Sequence, residues 1–157
     1  MLNKLKQQRK QEGFTIIEVL IVLAIAGLIM LVVFMAVPAL QRNSRNTQAK
    51  SEASSLLGAA SEYIANNNGK MLVAADSTGV IGNAKLQNIT TLTIEAAAGT
   101  TAPTSTVAVI RTGTKCLKAA DATLANVVSA TGAASRQYSL LFLTEGTSGN
   151  LYSCLDS

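Results

Sequence analysis

Residues 13–40 read GFTIIEVLIVLAIAGLIMLVVFMAVPAL, an apolar run interrupted by one ionisable side chain, Glu18. From Val19 to Val37 nineteen consecutive residues carry no charge, and 16 of the 24 from Phe14 to Val37 are Leu, Ile, Val or Phe. At 1.5 Å of rise per residue, a helix of that length covers about 36 Å, enough to cross a hydrocarbon core with some tilt. Each large apolar residue contributes roughly −0.3 to −0.6 kcal/mol to insertion, against about +2.5 to +3.5 kcal/mol for one central charge. The sum favours insertion even with Glu18 ionised. The stretch predicts a membrane-spanning helix.

A cleavable secretory signal is the competing reading, since a basic segment precedes the run and Ala24-Ile25-Ala26 has the form of a cleavage site. Against it, the apolar run continues well past Ala26 and Glu18 falls where a signal core tolerates charge least. The chain of 157 residues suffices for one domain plus an anchor. Of the net charge of +4, most sits ahead of the run, where Lys4, Lys6, Arg9 and Lys10 face Glu12 alone. The nearly neutral remainder lacks the basic footprint of a nucleic-acid binder. There is no His, and the two cysteines, Cys116 and Cys154, have no metal-ligand spacing. A disulfide between them is the economical reading, free thiols the alternative. A disulfide puts the distal half in an oxidising compartment, with the N-terminus inside and the C-terminus outside.

Glu18 admits two readings. It is a first-turn acid that complements the helix dipole at the membrane surface, or it awaits a cation that this helix, with no Lys or Arg between Phe14 and Leu40, does not provide. Gly13 followed by Phe14-Thr15-Ile16-Ile17-Glu18-Val19-Leu20, after a short basic leader and before a long apolar stretch, resembles the class III signal of type IV pilins. The resemblance covers roughly residues 4–40. It implies that a prepilin peptidase cuts after Gly13, removing leader residues 1–13, and methylates the new amine of Phe14. It also implies a partner for the acid: the Phe14 amine of an incoming subunit pairs with Glu18 of its neighbour and sets the register of a helical homo-oligomer.

Beyond the apolar segment 14–37, Ala53, Leu56, Leu57, Ala60 and Ile64 keep the i, i+3, i+4, i+7 spacing, which predicts a one-faced helix to about residue 65. Asn66-Asn67-Asn68-Gly69 should end it through a left-handed cap. Pro38 removes a backbone donor and is expected to kink the helix between its halves, 14–37 and 38–65. Ala24, Ala26 and Gly27 offer small surfaces for close helix approach, without a GxxxG pattern. From Lys70 the pattern turns to short alternating pieces: Thr91–Glu95, Thr106–Arg111, Tyr138–Leu143 and Asn150–Leu155, the last two a hairpin around a loop at Thr144–Gly149. The expected fold class is α+β, a long N-terminal helix packed by a small antiparallel sheet in a head of residues 66–157. The Cys116–Cys154 bridge fits the C-terminal staple common in pilins.

Catalysis finds no support: without His there is no Ser-His or Cys-His pair, and no phosphate-cradling glycine loop occurs. The head acids Asp76, Glu95, Asp121, Glu145 and Asp156 stand singly, as on a solvated surface, and suggest no calcium loop or other metal site. No cofactor is expected. Asn88-Ile89-Thr90 matches a glycosylation sequon but carries no assigned role.

Three functions follow. The first is a major pilin, membrane-inserted as a precursor, handled by the prepilin peptidase and the assembly machinery of the inner membrane, then exported in an extracellular pilus for adhesion, surface motility or DNA uptake. The second is a minor pilin or type II secretion pseudopilin. The third is a single-pass anchored protein using Arg42, Arg45 and Lys50 on DNA or anionic lipid, a weak footprint without aromatic partners.

Overall fold

A computed structural model describes residues 13–117, 128–130, 136–147 and 149–157. The leader charges at positions 4, 6, 9, 10 and 12, and Asp121, lie outside the described residues. The chain divides into two compact units, Met1–Leu40 and Gln41–Ser157. One helix, α1 (Ile16–Asn66), belongs to both, and its assignment runs through Pro38 without interruption.

In the first unit the described residues are exposed throughout, Phe14 at 83%. The helix there is apolar on every side and long enough to cross a membrane.

In the second unit α1 becomes one-faced. Glu52, Ala53, Leu56, Ala59 and Ala60 are buried, with Leu57 and Ile64 partly so, which is the expected stripe. The helix stops as its asparagines predict: Asn68 takes the left-handed conformation at φ 57° and the Gly69 N–H donates back to the Ile64 carbonyl at 2.8 Å. That six-to-one bond is the mark of a Schellman cap.

After the cap the structure departs from the expected alternating pieces. A 3-10 turn (Ala74–Asp76) leads into a short helix, α2 (Ser77–Asn83). The Asp76 carboxylate organises the turn, accepting the Val73 N–H at 2.8 Å and the Tyr63 hydroxyl at 3.1 Å. Gly79 lets α2 lie against α1, because a Cβ there would meet Tyr63 Cε2 at 2.5 Å. Val80 is fully buried in the core. Two glycines in seven residues give α2 almost no intrinsic propensity, so this contact forms it.

The strands are β1 (Thr91–Ala96), β2 (Val107–Thr112), β3 (Thr114–Cys116), β4 (Val128–Ala130), β5 (Tyr138–Glu145) and β6 (Asn150–Asp156). A four-stranded sheet has the order β1-β2-β5-β6, and β3 pairs with β4 separately. Leu92, Ile94, Ala108, Ile110, Tyr138, Leu140 and Phe142 share the core with the α1 stripe. Ladder register puts these residues on one sheet face, with Val109 and Leu141 on the other, where Val128, Tyr152 and Cys154 pack against them.

Two details correct the sequence expectation. The hairpin loop is shorter, because β5 and β6 stay paired out to Glu145 and Asn150. The sheet is also not wholly antiparallel: β1 and β2 run parallel, Thr91 opposite Val107 through Ala96 opposite Thr112. Their crossover, residues 97–106, is held by an ion pair between a buried arginine and a half-buried glutamate. Arg111, 4% exposed, lies 3.8 Å from Glu95 and donates to the Thr101 carbonyl at 3.2 Å, while Glu95 accepts the Thr101 N–H at 3.4 Å. A parallel pair needs such a return path, and these contacts do the work of the usual crossover helix.

Cys116 of β3 and Cys154 of β6 form a disulfide with Cα atoms 5.7 Å apart. It ties the two sheets together, and the Cys116 N–H donates to Asp156 at 2.6 Å beside it. Replacing both cysteines with serine should lower the unfolding free energy of the head by about 4 kcal/mol in the chain-entropy model. The check is the urea midpoint of the full chain in detergent micelles, with and without the bridge.

Candidate functional site

The residues singled out by sequence fall in both units. In the first, Gly13, Phe14 and Thr15 precede α1, and Thr15 caps it. The Thr15 Oγ1 accepts the Glu18 N–H at 3.4 Å, and the Thr15 carbonyl accepts from Glu18 and Val19 at 3.1 and 3.3 Å. Thr15-Ile16-Ile17-Glu18 is therefore also a capping-box sequence, a signal legible in the residues but not drawn from them. Glu18 is exposed and lies in the first turn of the helix, where a carboxylate complements the helix dipole. No ion pair to it is found among the described residues. Chemically, this end of the chain offers a glycine peptide bond at an exposed helix entrance and one carboxylate on an apolar helix.

In the second unit the head acids are not the solvated singles expected of them. Glu95 and Asp76 hold the crossover and the 3-10 turn, as above. Glu145, at the tip of the β5–β6 hairpin, forms a two-pronged ion pair with Arg45 of α1, both bonds 2.7 Å. The hydrogen bond from Arg45, partly opposed by desolvation, lowers the Glu145 pKa below its usual 4.5, and the same bond raises that of Arg45. Beside it, Asn46 serves the Glu145 backbone on both sides, donating to its carbonyl at 2.8 Å and accepting its N–H at 2.6 Å. Arg42 donates to the Gly146 carbonyl at 3.4 Å. Arg42 and Arg45 thus both reach the end of the hairpin, Arg45 while still exposed to solvent.

Sequence reasoning missed Glu52, which is 5% exposed. Its carboxylate accepts the Ile89 N–H at 2.9 Å and the Asn88 N–H at 3.1 and 3.2 Å. Gln48, one turn earlier, donates to it at 3.4 Å and to Gln87 at 3.0 Å. An acid four residues before the core Leu56, on the buried stripe itself, was the available signal. It fixes where the chain enters β1. Cys116, Cys154 and Asp156 cluster closely enough to suggest a metal site, but both sulfurs are consumed in the disulfide and leave no thiolate to ligate.

Two outcomes are expected. Glu52→Ala leaves the buried Ile89 N–H without an acceptor and should cost about 1–3 kcal/mol, with loss of exchange protection concentrated at the Ile89 amide. The Arg45–Glu145 clamp should loosen in acid. Because the folded carboxyl titrates below 4.5, its contribution is present above that value and is lost as pH falls through the lower, folded value. Exchange of the Glu145 amide against pH should show this release in the native chain, and Arg45→Ala should remove most of the pH dependence.

Comparison with known proteins bears on the N-terminal part. Residues 8–34 match the family model described as the prokaryotic N-terminal methylation motif. Comparison with curated proteins finds no match, and comparison with solved structures finds none either. The motif and the apolar helix behind it fit a membrane-anchored precursor that is a substrate of the prepilin peptidase. Within residues 8–34 the chain thus carries the methylation motif that marks the class III signal peptide of type IV pilins.

Proposed function

We propose that the chain is a major pilin, the repeating subunit of an extracellular type IV pilus. The observation that carries this reading is Glu18, the one carboxylate of the apolar segment 14–37, four residues beyond the Phe14 cleavage position, with no Lys or Arg between Phe14 and Leu40. The precursor sits in the inner membrane, N-terminus in and C-terminus out. The prepilin peptidase cuts between Gly13 and Phe14 and methylates the freed amine. The mature helix then carries a positive terminus and a negative side chain at one end of an apolar surface that nothing else among the described residues covers.

Bundling many such helices buries that surface in place of lipid. Two unit charges 4 Å apart attract by about 4 kcal/mol at an effective dielectric of 20, whereas an unpaired charge in the bundle keeps its desolvation cost. Axially offset neighbours that bring the Phe14 amine to Glu18 are therefore favoured over every other register, much as one buried polar residue fixes a coiled coil. Pro38 leaves the Phe34 carbonyl without its helical donor, so the helix opens most readily there during assembly. Adhesion, surface motility or DNA uptake would be served by the exposed heads.

Mass spectrometry of protein sheared from cell surfaces tests this directly. N-methyl-Phe14 as the terminus of abundant filaments is expected, with fibres lost but cleavage retained in Glu18→Ala. An intact Met1 terminus confined to membranes would sink the proposal. A correctly processed chain present only in trace amounts in the filaments would assign it to the minor pilins or pseudopilins.

A further inference from the structure

The β2–β5 ladder is short. It joins Val109–Thr112 to Tyr138–Leu141, whereas β5 and β6 remain paired out to Glu145 and Asn150. Past Val109 and Leu141 the strands β2 and β5 therefore part, and the free end of the hairpin is fastened to α1 instead. The Asn46 side chain makes the two backbone bonds to Glu145 that a neighbouring strand would make. The fork holds an open cleft of about 820 Å³ with Ala49, Gln48 and Glu52 of α1 in its lining. That volume lies within the roughly 300–1,000 Å³ usual for small-molecule sites.

The formal charges at this cleft already have partners in the chain, Arg45 and Glu145 each other in an exposed pair, and Glu52 the Asn88 and Ile89 backbone. The polar side chains left over are neutral: Asn88, Asn150, Ser105, Thr106 and the phenol of Tyr152 line the cleft, and none of these side chains has a hydrogen-bond partner among the described residues. Pro103 and Leu143 add apolar surface between them. Two amides and three hydroxyls each donate and accept, and the tyrosine ring offers an apolar face. This set complements a ring that carries hydroxyls on its rim and C–H groups on its face. A charged ligand would find no free counter-charge, and a purely apolar one would strip water from five polar groups without replacing it.

We infer that the fork between β2 and β5 is a binding site for a neutral oligosaccharide. The site lies wholly within the unit Gln41–Ser157 and does not depend on the filament reading. The test is an NMR titration of the full chain in phosphocholine-detergent micelles, since glucoside and maltoside detergents are themselves sugars. The probes are N,N′-diacetylchitobiose, lactose and cellobiose, with a sulfated disaccharide as the charged control. Saturable shifts at Asn88, Ser105, Asn150 and Tyr152 with at least one neutral probe are expected. Tyr152→Ala and Asn150→Ala should each weaken that binding about tenfold. Asn150 is exposed, so its variant keeps the fold, which an unchanged amide spectrum elsewhere verifies. Silence of the four residues with all three neutral probes would overturn the inference. So would preferential binding of the sulfated control, or affinity unchanged in the Asn150 variant.

Discussion

One helix has to satisfy two surroundings, and the structure follows from where it changes between them. Up to Leu40 α1 is apolar on every side, and from Gln41 it carries charges and amides with a single buried stripe. A helix apolar all round has no preferred face and can be covered by lipid or by many neighbours, while a striped helix demands one specific cover. That cover is the sheet face of Leu92, Ile94, Ile110, Leu140 and Phe142, and the small Ala53, Ala59 and Ala60 allow it close. Glu18 stands as the exception in the first half and Glu52 in the second. The first has no cation in its own apolar half, between Phe14 and Leu40; the second is answered by backbone N–H groups of the same chain.

The striped half also sets the ends of the elements packed on it. Asn46 and Arg45 hold the end of β5, Glu52 the entry to β1, Ser61 the start of β5 through the Tyr138 hydroxyl at 2.7 Å, and Tyr63 the turn before α2 through Asp76. Their order along α1 matches the order of positions along the sheet, with β1 running in the helix direction and β5 against it. Each such bond contributes only about 1 kcal/mol net, yet leaving a buried partner unmet costs more. A sheet slipped by one residue would orphan several of these groups at once and turn Leu140 and Phe142 away from the core. The polar contacts thus specify register, while the apolar stripe supplies most of the stabilisation.

What was legible in the sequence was what depends on neighbours a few residues away. The apolar run, the stripe through Leu56 and Ala60, the Asn68-Gly69 cap and four of the six strands all announce themselves by period or by a residue with one conformational use. The bridge between Cys116 and Cys154 followed from economy and is present. What stayed hidden depends on residues far apart. Helix α2 exists because Gly79 fits against Tyr63, β3 and β4 are too short to show a period, and the pairing of Arg45 with Glu145 spans a hundred positions. The roles of the head acids were misread for the same reason, because a single acid in a sequence does not reveal the arginine or backbone N–H it meets.

The parallel pairing of β1 and β2 joins the departure from expectation to the candidate binding site. In a sheet of hairpins β2 would start where β1 ends, beside Ala96, and the far end of the sheet would carry only the turn of β5 and β6. Because β2 runs parallel to β1, the crossover must return to the end where β1 enters, beside Glu52 and the fastened tip of the hairpin. It brings Pro103 and Ser105 there, opposite Leu143 and Tyr152, and so supplies one wall of the cleft. The Glu95–Arg111 pair that fixes the crossover buries its arginine, which costs desolvation that an apolar residue in its place would avoid. Its effect is to hold a polar loop in one path over the sheet, which leaves neutral hydrogen-bonding groups at the mouth of a fork whose charges are paired with other groups of the chain.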